Sequence, residues 1–153
     1  MARLGRQLFI ALALASALAF ASAAGSGASG PPAGKRIALD GFDPVAYFWD
    51  GEPIKGTMEF WSVYDGAVYL FRSEDHRAAF AADPNRFAPQ FAGFCAGGMA
   101  QGTKIKADPQ AWVIADGKLF VFYAAEGVVG FKRDQAAMIE HANANWLRLK
   151  DQQ

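Results

Sequence analysis

The chain has 153 residues, 52% of them hydrophobic and 14% aromatic, with 15 basic side chains set against 15 acidic ones. That balance, without a dense Lys/Arg run, argues against nucleic acid as a partner, and a single cysteine excludes an intrachain disulfide framework. The only two histidines, His76 and His141, exclude a multi-histidine metal cage within one chain.

In chain order, Arg3 and Arg6 precede an apolar run from Leu8 to Phe20 broken only by Ser16, and Ala21-Ser22-Ala23 has the small-x-small form of a signal-peptidase site. Residues 1–23 read as a removed secretory signal whose apolar run falls short of the roughly 20 residues that span a bilayer. This predicts a periplasmic or secreted protein with no stable membrane span after signal removal. The remaining 130 residues (153 less 23) carry 13 basic side chains against 15 acidic. Residues 24–36 form a flexible Gly/Ser/Pro linker, and residues 37–150 form one small domain.

Within that domain Asp40-Gly41 and Asp43-Pro44 are turn signals, and Val45 to Trp49 fits a short strand or a helical turn. Met58 to Tyr64 and Ala67 to Phe71 alternate around Asp65-Gly66, which predicts an antiparallel hairpin. Ser73 caps the helix that follows, with Glu74 and Asp75 in its first turn and Asp83-Pro84 at its end. Pro89 keeps the next aromatic stretch irregular, and Cys95 to Gln101 fits a short helix with Cys95 and Met99 on one face. A second hairpin spans Gln110 to Tyr123 around Asp116-Gly117. Asp134 caps a long final helix carrying Met138, Ala142, Trp146 and Leu149 as its apolar stripe. No internal repeat stands out beyond the two hairpins. The sum is an α+β domain: a small antiparallel sheet built from two hairpins, helices packed on one side, and a long C-terminal helix.

The stretch with most chemistry runs from Phe87 to Ala100. It holds the single thiol Cys95, the thioether Met99, the rings of Phe91 and Phe94, and Gly93, Gly97 and Gly98, which leave room around the sulfur. A pocket there would be lined by Phe91, Phe94 and Gly93, with Asp43 and Tyr47 from the earlier turn region. Cys95, Met99 and His76 together would suit a soft ion, copper(I) or less well zinc. Cys95 paired with His76 and a carboxylate, Asp43 or Asp75, would instead make a nucleophile. The third reading is that Cys95 is a small buried hydrophobe and the protein a structural or interaction domain. Asp40, Asp43 and Asp50 are economically explained as turn formers, and the four tryptophans as core or pocket wall.

Asp43-Pro44-Val45-Ala46-Tyr47-Phe48, Gly66 to Ser73, Phe80 with Asp83 to Pro89, and Gly93-Phe94-Cys95-Ala96 together resemble the YHS domain family, and more narrowly its exported bacterial branch of small stand-alone proteins. The likeness continues through Asp108 to Trp112, Asp116 to Phe120 and Asn145-Trp146. The resemblance implies a binding domain rather than an enzyme. It also implies that three positions which carry thiols in metal-associated relatives are here Ala46, Arg72 and His76, and that Cys95 belongs to a Gly-Phe-Cys-Ala motif where a ligand would be sought. The reading that follows is an exported small binding module for a metal ion or a small ligand around Cys95, with a thiol-dependent enzyme and a structural domain as alternatives.

Overall fold

Two hairpins turn on the same dipeptide. Asp65-Gly66 and Asp116-Gly117 all have positive φ (46°, 76°, 51° and 71°), the tight-turn geometry that glycine adopts without strain and aspartate tolerates. In the computed structural model, which describes residues 30–152, the first turn joins β1 (Thr57–Tyr64) to β2 (Ala67–Phe71), and the second joins β3 (Asp108–Ala115) to β4 (Lys118–Phe122). The expected signal segment lies outside the described residues, as does the start of the linker. Both pairs are antiparallel and both carry a register shift near the start of the first strand, Thr57/Phe60 and Asp108/Trp112. They form two separate two-stranded sheets rather than one. The α+β class and the long final helix are as expected.

Helices fill the rest. Val45 to Trp49 resolves as a helical turn, α1 (Ala46–Trp49). Ser73 accepts from the His76 backbone N–H to cap α2 (Glu74–Ala82), and Asp83 caps the short α3 (Pro84–Phe87). Cys95 begins α4 (Ala96–Ala100), and Asp134 caps α6 (Gln135–Leu149). Between β4 and α6 lies α5 (Ala125–Arg133), a helix the sequence reading passes over. Its N-cap is Ala124, which offers no side-chain acceptor, and Gly127 and Gly130 dilute its helical signal.

The order of these parts reveals an internal repeat, which corrects the expectation of none beyond the hairpins. Leu39, Asp40 and Gly41 form a 3₁₀ turn with φ of 51°, 49° and 78°, and Phe91, Ala92 and Gly93 form another with 55°, 50° and 80°. Phe42 then bridges Lys55, and Phe94 bridges Lys106. The Asp43 N–H donates to Ile54 O and the Cys95 N–H to Ile105 O, both at 2.8 Å. Each turn leads to a short helix, a hairpin, a nine-residue helix and a helix capped by Asp83 or Asp134. From the hairpins onward the spacing is a constant 51 residues, carrying Trp61, Phe71, Phe80 and Asp83 onto Trp112, Phe122, Phe131 and Asp134. So few identities survive that a single sequence hides the period.

Each half has a core cluster. Phe71 and Phe80 centre the first with Tyr69 and Val45; Phe122 and Phe131 centre the second with Phe120, Met99 and Leu119. Burying one such ring contributes about 1.5–3 kcal/mol. Tyr47 crosses between the halves: its phenol donates to the Pro109 carbonyl at 3.0 Å and its ring meets the edge of Trp112, centroids 5.2 Å apart.

Candidate ligand site at the Asp43–His76 pair

Asp43 is fully buried, and a buried carboxylate needs every lone pair answered. The first 3₁₀ turn delivers it to the head of α1, where Oδ1 accepts from the Val45 N–H at 2.8 Å. Oδ2 accepts from the Arg72 N–H, just beyond β2, and lies 2.8 Å from His76 Nδ1. His76 sits at the third position of α2, 4% exposed. A carboxylate can only accept, so Nδ1 carries the proton and donates it to Asp43. Nε2 faces Asp50 Oδ2 at 3.7 Å. Asp50, at the end of α1, also pairs with the Arg72 guanidinium at 3.3 Å. Trp49 closes one side, edge-on to the imidazole at 5.0 Å and itself 52% exposed. A carboxylate behind one imidazole nitrogen fixes the orientation of the ring.

The other expected site residues lie elsewhere. Cys95 is 5% exposed, and its sulfur accepts from the Gly98 N–H at 3.4 Å and the Tyr123 N–H at 3.2 Å. Met99 is fully buried in the same cluster. His76 belongs to the first half, its two nitrogens turned to Asp43 and Asp50, so imidazole, thiol and thioether do not converge on one point. Of the nucleophile constellation, the Asp43–His76 half is present and the sulfur is not part of it. Gly93 and Phe94 do line a cleft, with Arg36 and Lys106; Phe91 lines a second with Trp146. Tyr47 is buried between the halves, and burial, with Asp108 and Asp43 nearby, raises its pKa well above the ordinary value. Sequence reasoning missed Asp50 and Trp49 as neighbours of the histidine and gave Arg72 no role. The signal for Asp50 was its place one helical turn beyond Ala46, on the same short segment that carries Asp43.

The second half has no such site. Asp43 corresponds to Cys95, Arg72 to Tyr123, and His76 to Gly127. A Cβ on Gly127 would stand 2.9 Å from the Phe122 Cβ, so that half has no room for an imidazole.

Fold and site together define a small α+β domain with one carboxylate-braced histidine. Residues 45–91 match the YHS domain, a family associated with metal binding. No curated protein and no solved structure matches the chain. At the three positions where the resemblance implies thiols, Ala46 is buried, the Arg72 guanidinium leans on Asp50, and only His76 offers a donor. A soft thiolate set does not fit these residues; imidazole nitrogen and carboxylate oxygen suit copper(II) or zinc. Among the described residues no three His, Cys, Asp or Glu side chains gather about one point.

Proposed function

We propose that the chain is an exported, non-catalytic binding module that holds a divalent transition-metal ion, copper(II) or zinc, at His76 Nε2 with Asp50 as second donor. The observation that supports it most is the bracing of His76: Nδ1 is tied to Asp43, whose two oxygens are themselves fixed by the Val45 and Arg72 N–H groups. Such bracing costs a buried charge, and it presents Nε2 ready-oriented beside a half-exposed tryptophan and a carboxylate. Asp43 would act from behind, orienting the imidazole, and water would complete the coordination. Arg72 competes for Asp50, so it tunes the affinity downward.

Titration of the mature protein with copper(II), followed by electron paramagnetic resonance, tests this. One nitrogen/oxygen-ligated ion per chain is expected, lost in His76→Gln, weakened about 10–100-fold in Asp43→Asn, tightened in Arg72→Gln and unchanged in Cys95→Ala. A parallel copper(I) titration against a competing chelator covers the sulfur site. Binding that survives His76→Gln but disappears in Cys95→Ala would move the ligand to Cys95 and Met99. Failure of both ions to bind would remove metal from the function.

A further inference from the structure

Beside the contact of the two 3₁₀ turns a cleft of about 220 Å³ opens. Its base is apolar and close-fitting: a Cβ on Gly93, where φ is +80°, would stand 3.4 Å from Leu39 and Pro89. Arg36 enters from an exposed stretch and tucks its guanidinium inward, Nη2 donating to the Ala92 carbonyl at 2.6 Å and Cζ lying 4.7 Å over the Phe94 ring. It makes no ion pair among the described residues, and burial of its tip lowers its pKa. Asp65 acts on Arg36 through space without pairing with it. Lys106 Nζ pairs with Asp40 Oδ2 at 2.9 Å, and Lys55 Nζ donates to the Asp40 carbonyl at 2.6 Å. Asp40 therefore does not neutralise Arg36, and it is itself screened from an incoming anion. The repeat sharpens the contrast, because the counterparts of Arg36 and Asp40 are Ala88 and Ala92.

We infer that this cleft binds a small carboxylate with an apolar body. The carboxylate meets the remaining N–H groups of Arg36, whose planar fork matches two oxygens at once, and the body lies against Leu39, Ile37 and Ala107. A cation is opposed by Arg36, Lys106 and the nearby Lys104, which lies 5.5 Å from the Phe94 ring centre.

The test is a two-dimensional amide NMR titration of the mature protein with benzoate, benzamide and benzylamine. Benzoate is expected to give saturable shifts at Arg36, Gly93 and Phe94, with benzamide weaker by about tenfold or more, the range of one charge-assisted contact, and benzylamine giving none. Arg36→Gln should lower benzoate affinity to that of benzamide, and Arg36→Lys should recover part of it. Absence of saturable benzoate shifts, equal affinity for benzamide, or unchanged benzoate binding in a folded Arg36→Gln variant would each overturn the inference. If Arg36→Gln loses spectral dispersion, the benzoate–benzamide comparison on the unaltered protein decides alone. None of these readouts depends on metal, so this site and the His76 site stand or fall separately.

Discussion

Asp43 and Cys95 stand at matching points of the two halves and receive matching donors. Each follows a left-handed 3₁₀ turn, and each accepts from the N–H of the residue just beyond its hairpin, Arg72 in one half and Tyr123 in the other. One further N–H from the head of the following helix completes each set, Val45 for Asp43 and Gly98 for Cys95. The frame thus demands an acceptor, a carboxylate in one half and a more weakly accepting thiol sulfur in the other. What differs is the third partner. Asp43 holds His76, whereas the place of His76 is taken by Gly127 in the second half. The cysteine sulfur is accordingly an acceptor for two backbone N–H groups, and only the first half sets an imidazole against its acceptor.

The largest test of that contrast removes each acceptor. Asp43→Ala leaves two backbone N–H groups and a buried imidazole without partner, and breaking such a buried pair costs about 3–5 kcal/mol. Cys95→Ala strands two N–H groups bonded to a weak sulfur acceptor, costing about 1–3 kcal/mol. Urea unfolding at constant m-value should rank them in that order. Equal losses would mean that His76 adds nothing to the bond network.

The closed imidazole position in the second half comes next. Gly127→Ala places a methyl 2.9 Å from the Phe122 Cβ, which lies against the main chain and has little freedom to give. Overpacking of this kind costs about 1–3 kcal/mol, of which better helix propensity returns at most about 1. Gly130→Ala in the same helix meets nothing within 4 Å and should stabilise by about 0.5–1 kcal/mol. Thermal unfolding of the two variants should move in opposite directions.

Two phenols also separate the halves, since Tyr47 and Tyr69 have Met99 and Phe120 as counterparts. Burial raises both pKa values above the ordinary 10.0. The folded chain holds these protons more tightly than the unfolded chain, so their contribution is complete below pH 10 and is lost as the pH rises beyond it. The loss is about 1.4 kcal/mol per pH unit for each tyrosine. The Tyr69 hydroxyl is buried with no hydrogen-bond partner. Tyr69→Phe, which copies the second half, should therefore raise stability by about 1 kcal/mol at neutral pH and halve the alkaline slope. An unchanged slope would show that Tyr69 reaches solvent.

Much of this was legible in the chain. Asp-Gly between alternating runs specified both hairpins, Ser73 and Asp134 specified helix starts, and Asp83-Pro84 specified a helix end, because caps and tight turns are set by local chemistry. The pairing of His76 with Asp43 was open to inference, since a buried imidazole needs a partner. The distance between His76 and Cys95 was not, because it depends on which half each belongs to. The period that decides this survives only in residues with strict steric or capping duties, such as Trp61 and Trp112 or Phe80 and Phe131. The 3₁₀ turns were hidden for another reason: Leu39 and Phe91 take left-handed φ values that their side chains disfavour, and tertiary packing imposes them.

The smallest effect bears on why α5 is so faintly written. Ser73 and Ala124 occupy the same cap position with nearly the same backbone, φ −152° and ψ 164° against φ −155° and ψ 169°. Ser73 uses its hydroxyl to accept from the His76 N–H at 3.3 Å, whereas the Gly127 N–H donates to the Ala124 carbonyl at 3.0 Å and has no side-chain acceptor. Ala124→Ser should add that acceptor and stabilise the protein by about 0.5–1 kcal/mol. Ser73→Ala should lose about as much. Native-state hydrogen exchange at Gly127 separates a cap from a general gain, because a formed cap slows that amide in particular. A shift in unfolding midpoint without protection at Gly127 would mean that the two halves share a backbone path and not its local hydrogen bonding.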